Sequence, residues 1–132
     1  MDDKKILIVE DDADTCDVYN YLLKDHHYDT FFAADGMSAI SEAQKHQPDL
    51  IILDLGLPAG DGFVVLERLV AITHLSFIPV LVVSARDARE SKERALKAGA
   101  KAYVQKPWSD SELLVTIGQL LGQPELPVPQ PK

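Results

Sequence analysis

Basic residues are scarce: 13 Lys and Arg stand against 21 Asp and Glu, a formal charge of −8 over 132 residues. A surface that tracks phosphates needs a clustered excess of Lys and Arg, so direct nucleic-acid binding is disfavoured. Binding to anionic membranes is disfavoured for the same reason. Cysteine occurs once, at Cys16, which excludes an internal disulfide and agrees with a reducing compartment. No apolar run approaches the roughly 20 residues that span a bilayer, and the opening Met1-Asp2-Asp3-Lys4-Lys5 lacks the apolar core of a signal peptide. What is present is a globular composition, 46% hydrophobic and 26% charged, in a length that suits one domain with a sizeable core. Together these features point to a soluble, acidic, cytoplasmic domain with no nucleic-acid or membrane partner.

Two kinds of segment alternate. Short apolar runs fall at Ile6–Val9, Tyr28–Ala33, Leu50–Leu53, Val80–Val83 and Ala102–Val104. The first, third and fourth are continuous and rich in β-branched residues, as strands buried on both faces should be. Between the runs, apolar residues recur at helical spacing. Val18, Tyr19, Leu22 and Leu23 mark one helix, and Ile40 and Ala43 a weaker second. Phe63, Leu66, Leu69 and Val70 mark a third, Ala88, Ala95 and Leu96 a fourth, and Leu113, Leu114, Ile117, Leu120 and Leu121 the last. Ser109-Asp110-Ser111-Glu112 reads as a capping box. Gly99 and Gly122 stand where the fourth and fifth helices should stop. Five strand–helix alternations predict an α/β fold, a doubly wound five-stranded parallel sheet with five helices on its two faces. In Gln123–Lys132, prolines 124, 127, 129 and 131 exclude helix and central strand, so this Pro-rich C-terminal segment is expected to be an extended tail or a linker to an output domain.

The strand ends carry the chemistry. In a parallel sheet the carboxyl ends of all strands emerge along one edge, where ligands bind. Strand one ends in Glu10-Asp11-Asp12, strand three in Asp54, strand four in Ser84 and strand five in Lys106-Pro107. Neighbouring strands lie about 4.8 Å apart, so carboxylates ending adjacent strands fall within the span of one metal ion. Like charges so placed repel and would raise at least one pKa, a conflict that a hard divalent cation resolves. Mg²⁺ suits an oxygen donor set of carboxylates, waters and a phosphate oxygen.

Four motifs in order, Ile-Val-Glu10-Asp11-Asp12, Asp54-Leu-Gly-Leu-Pro58-Ala-Gly-Asp61-Gly62, Val-Val-Ser84-Ala85 and Lys106-Pro107, resemble the receiver domain of bacterial two-component response regulators over residues 4–122. The resemblance implies a flavodoxin-like sheet of order 2-1-3-4-5. It implies that Asp54 accepts a phosphoryl group from a sensor histidine kinase or phosphotransfer protein. Asp11 would bind Mg²⁺ directly and Glu10 through water, with Asp54 and the backbone carbonyl of Gly56 completing the protein ligands. Lys106 would pair with Asp54 before transfer and with a phosphoryl oxygen after it, and Ser84 with the amide of Ala85 would hold another. Asp12 either ligates or favours the amino end of the first helix, the latter being the stronger expectation. Pro107 is expected to be cis. Gly60-Asp61-Gly62 reads as a turn into the third helix.

In the family, phosphorylation draws the strand-four hydroxyl toward the phosphoryl group and an aromatic of strand five turns inward. Ser84 and Tyr103 match those positions, and helix four, strand five and helix five would form the output surface for a downstream domain or protein. A large DNA-binding subfamily dimerises there through charged pairs. Asp110–Leu121 has acids only at its start and no basic residue, so that interface is doubtful here, although a homodimer stays open. Gly56 and Arg86 occupy positions that tune attacking-water access in relatives, leaving the phosphoaspartate lifetime open. The four histidines, at 26, 27, 46 and 74, show no ligand spacing, Cys16 reads as an inert thiol, and Trp108 as packing beside the site. Two other functions fit these residues less well. A phosphatase of the haloacid-dehalogenase type needs an Asp where Gly56 stands. A docking module that never uses phosphate usually lacks one of the acids or the lysine, all of which are kept here.

Overall fold

The computed structural model describes residues 3–57 and 62–122. Strands β1 (Lys5–Val9), β2 (Asp29–Ala33), β3 (Leu50–Leu53), β4 (Val80–Ser84) and β5 (Ala102–Gln105) alternate with helices α1 (Ala13–Asp25), α2 (Gly36–His46), α3 (Gly62–Ala71), α4 (Ala88–Lys97) and α5 (Asp110–Leu120). All strand pairs are parallel, in the order β2-β1-β3-β4-β5. The expected α/β fold is therefore the one observed. The Pro-rich segment and most of the expected Gly60-Asp61-Gly62 turn lie outside the described residues.

Helix starts follow from short polar side chains that accept otherwise unpaired amides. Asp12 takes the Thr15 N–H, Asp35 the Ser38 N–H, Asp87 the Arg89 N–H and Ser109 the Glu112 N–H. Hydrogen bonds from Thr15 hold the Asp12 carboxyl below the usual carboxylate range. Asp12 thus serves as the cap of α1, as the stronger of its two readings expected. Gly99 (φ +115°) and Gly122 (φ +66°) take the left-handed conformation just past α4 and α5.

The pleat sorts each strand's residues between two cores. Leu7, Val9, Ile51, Leu53, Val80 and Val82 face α2, α3 and α4 through Ala39, Ala43, Phe63, Leu66, Leu69 and Ala95. Ile6, Ile8, Leu50, Ile52, Leu81 and Val83 face α1 and α5 through Tyr19, Leu23, Leu113 and Ile117. Two residues expected on apolar helix faces are open to solvent, Val18 at 52% and Leu96 at 40% exposure. Both sit beside a narrow buried stripe of two residues one turn apart, Tyr19 and Leu23 in α1 and Ser91 and Ala95 in α4. Conversely Ala39 and Val65 are buried although the helical spacing did not single them out, because α2 and α3 also pack on each other.

One close approach ties this packing to the sheet edge. A Cβ at Gly62 would stand 2.4 Å from the Leu55 Cα, 2.8 Å from its carbonyl oxygen and 2.9 Å from that of Asp54. These are backbone atoms and cannot rotate away. Gly62→Ala should lower stability by about 1–3 kcal/mol or more through overpacking, seen as a lower urea midpoint. A midpoint equal to wild type would show that the loop after β3 yields freely.

Candidate functional site

Strand register builds the site. Val9 is paired with Leu53, so Glu10 and Asp54 are the first residues past two adjacent strand ends and stand side by side. The Asp54 N–H donates to the Val9 carbonyl at 3.1 Å, which extends the ladder by one bond and sets the level of its carboxylate. Ser84 pairs with Gln105, and the Lys106 N–H donates to the Ser84 carbonyl at 2.8 Å, so Lys106 leaves the same edge two strands away. The Lys106–Pro107 peptide is cis.

Glu10, Asp11 and Asp54 offer carboxylate oxygens that all lie within 4.8 Å of one another. Lys106 is the counter-charge. Its Nζ donates to Glu10 Oε1 at 2.6 Å and to Asp54 Oδ2 at 3.3 Å, the Glu10 contact being the shorter. Three carboxylates against one ammonium leave two negative charges among these groups. Burial raises the pKa of Glu10, which is 4% exposed, over the opposing pull of its bonds from Lys106 and the Asp12 N–H; the charge of Asp54 adds to the rise. For Lys106, burial alone would lower the pKa, but the bond to Glu10 and the charges of Asp54 and Glu10 outweigh it and raise it. The donor set is hard oxygen throughout, crowded with like charge, and suits a hard divalent cation such as Mg²⁺.

Gly56 donates its N–H to Asp54 Oδ1 at 3.0 Å, and a Cβ there would lie 3.6 and 3.9 Å from the two carboxylate oxygens. Ser84 ends β4 with 1% exposure, and its Oγ accepts the Arg86 N–H at 3.2 Å. Ala85, next in sequence, is exposed. Tyr103 is half-buried on β5, and its hydroxyl donates to the Arg86 carbonyl at 2.8 Å. The edge therefore gathers every residue that the sequence placed there, with Ser84, Ala85 and Tyr103 grouped along β4 and β5.

Reading the sequence missed two features. Tyr19 is 1% exposed and stacks on Trp108 with ring centroids 4.6 Å apart, forming an aromatic floor next to the acids. Burial, then the charges of Glu10 and Asp54, push the Tyr19 phenol far up. The position of Trp108 directly after Lys106-Pro107 was the available signal for this stack. The second feature is the pair of backbone bonds by which Arg86, expected only to tune water access, links Ser84 and Tyr103. Cys16 donates its Sγ–H to the Glu10 carbonyl at 3.5 Å, and burial raises its pKa, which agrees with an inert thiol. His46 stacks on Phe31 and pairs with Glu42 at 3.0 Å, away from the acids in both sequence and fold.

A model of the response regulator receiver domain family matches residues 6–118. The chain is 34% identical over 119 residues to the polar-differentiation response regulator DivK of Brucella anthropi, covering 90% of this chain and 97% of that protein. It is 36% identical over 126 residues to the alkaline phosphatase synthesis transcriptional regulatory protein PhoP of Bacillus subtilis, covering 96% of this chain and 52% of that protein. The chain thus spans about half the length of one curated relative and nearly the whole of another. Among solved structures it is similar to the receiver domain of sensor histidine kinase PA1611 from Pseudomonas aeruginosa, which has a magnesium ion coordinated in its active site cleft. There the TM-score is 0.83 at 27% identity, covering 92% of this chain and 99% of the other.

Proposed function

The chain belongs to the response regulator receiver domain family of two-component systems, and from that premise we propose that Asp54 accepts a phosphoryl group from a histidine kinase or phosphotransfer protein in an Mg²⁺-dependent reaction. The observation that carries this reading is the cluster of Glu10, Asp11 and Asp54 oxygens within 4.8 Å, with Lys106 bonded to both Glu10 and Asp54. The receiver unit would be residues 4–122, followed by a tail or linker at 123–132.

In the transfer, an Asp54 oxygen attacks phosphorus, the new O–P bond forms as the P–N bond to the donor histidine breaks, and the imidazole leaves with that electron pair and takes a proton. Such a transfer is mostly positioning and electrostatics. Gly56 presents no side chain against Asp54, and its N–H, bonded to Oδ1, helps to orient the carboxylate, whose Oδ2 accepts from the Lys106 ammonium. Lys106 contacts Asp54 Oδ2 at 3.3 Å and would be within reach of a phosphoryl oxygen once one is attached there. Ser84 and the Ala85 amide end the neighbouring strand and would take another. Glu10, Asp11, Asp54 and the Gly56 carbonyl would hold Mg²⁺, which when bound supplies charge neutralisation to the acids and the transferring oxygens.

A phosphoryl group adds about −1.5 to −2 charges at one point. Drawing the Ser84 hydroxyl toward it would break the Arg86–Ser84 bond, release the carbonyl that Tyr103 holds, and shift α4, β5 and α5 between two packings. An output domain or separate protein would read that surface. The domain catalyses only its own phosphorylation and dephosphorylation.

The test is intact mass after incubation with acetyl phosphate, with Mg²⁺ and with a chelator, followed by peptide mapping. One added phosphoryl group, mapped to Asp54 and absent with the chelator, is expected. An adduct that forms equally with the chelator, or maps elsewhere, would overturn the reading.

A further inference from the structure

One residue ties together four parts of the molecule at the carboxyl edge. The Arg86 N–H donates to Ser84 Oγ at 3.2 Å, and its carbonyl accepts the Tyr103 hydroxyl at 2.8 Å. Its guanidinium crosses to the opposite loop, where Nη2 reaches the Leu55 carbonyl at 3.4 Å and the carbon centre lies 5.6 Å from the Phe63 ring centroid. Phe63, in the first turn of α3, is 2% exposed, and the Arg94 guanidinium of α4 stands 3.7 Å from the same ring centroid. The residue whose backbone N–H and carbonyl carry the two switch contacts thus has its side chain anchored on the segment that follows Asp54.

We propose that the Arg86 side chain is a positioning residue, a brace that ties the β4–α4 loop to the β3–α3 loop and holds Ser84 and Tyr103 in the packing seen here. The inference rests on the proposed reading of Asp54 as phosphoacceptor. Two physical arguments support it. First, the loop Ala85–Asp87 is short, exposed at Ala85 and Arg86, and otherwise tied outward to β5 by the Tyr103 hydroxyl and, at Ala88, by the Gln105 side chain; such segments open locally unless tied down. The guanidinium supplies a tie from outside the loop, through a hydrogen bond and a cation–ring contact, so its effect reaches the peptide that links Ser84 to Tyr103. Second, the rearrangement needs Ser84 to leave the Arg86 N–H. A side chain that resists movement of that peptide adds to the cost of switching and keeps the unphosphorylated state in one packing. Arginine suits the task because its planar group can donate to a carbonyl while lying over a ring.

The test is amide hydrogen exchange by NMR on the full chain, for wild type, Arg86→Ala and Arg86→Lys, with phosphoryl uptake from acetyl phosphate measured on the same samples. Arg86→Ala keeps the peptide and removes only the brace. Its amides at Ala85–Ala88 and, across the gap, at Gly56 are expected to exchange about fivefold faster, while amides inside β1 and β3 stay unchanged. Uptake on Asp54 is expected to speed up by a similar factor. Arg86→Lys keeps the charge but loses the planar contact, and it should restore less than half of the effect. Unchanged exchange at Gly56, or equal acceleration throughout the sheet, would overturn the brace. Failure of wild type to take up phosphate would instead defeat the reading of Asp54, and the exchange at Gly56 would still decide whether the two loops are tied.

Discussion

Asp54→Asn is expected to take up no phosphoryl group, yet to keep its stability within about 1 kcal/mol of wild type. The two halves of this outcome come from different atoms. An amide oxygen carries no formal charge and is a poor nucleophile, so the O–P bond does not form. The same oxygen still accepts the Gly56 N–H, now 3.0 Å from Oδ1, so the local backbone keeps its bond. Lys106 loses its contact at 3.3 Å but retains Glu10 at 2.6 Å, and therefore is not stranded. Losing the Asp54 charge also removes one of the influences that raise the Glu10 pKa, which offsets part of the lost ion pair. Intact mass and urea unfolding on one preparation check both halves. A phosphoryl adduct on the Asn variant would place the acceptor elsewhere, and a collapse in stability would mean that Asp54 is structural.

Lys106→Ala should be costlier, because it removes the cation that Glu10 and Asp54 share. Glu10 is 4% exposed and would face Asp54 with no ammonium between them. Loss of one partner of a largely buried pair leaves a charge that burial penalises, here by about 1–3 kcal/mol, since the Lys106 side chain itself is 19% exposed and water can enter. Phosphoryl uptake should fall about 100-fold, the scale of losing one preorganised cationic or hydrogen-bonding contact to the transferring group. Urea midpoint and uptake rate separate the effects: a stable variant with slow uptake isolates the electrostatic role. Uptake at the wild-type rate would show that Lys106 serves the fold alone.

Most of the site was legible because its residues are placed by local rules. Continuous apolar runs such as Leu50–Leu53 form strands wherever they are buried on both faces, and the parallel topology then sends every strand end to one edge. The acids at 10, 11 and 54 and the lysine at 106 could therefore be gathered without coordinates. Asp12, read as more a cap than a ligand, does bond the Thr15 amide in the folded chain. The helix stops at Gly99 and Gly122 follow from one residue's φ, which is a local property as well.

What only the tertiary structure decided lies in the relations between segments far apart in the chain. Periodicity identifies one face of a helix but not its width, so Val18 and Leu96 are exposed, while Ala39 and Val65 are buried where α2 meets α3. The family resemblance pairs Lys106 with Asp54, but the short contact with Glu10 depends on where a flexible stem comes to rest between two carboxylates. The guanidinium of Arg86 meets the Leu55 carbonyl and the Phe63 ring only because β3 and β4 are neighbours in register. The strands, the caps at Asp12 and Ser109 and the helix stops, and through them the placing of the edge residues, were determined by sequence, because each depends on a few adjacent residues. The charge pairing, the brace and the limits of the core were left to the fold, because each depends on which distant surfaces packing brings within a few ångströms.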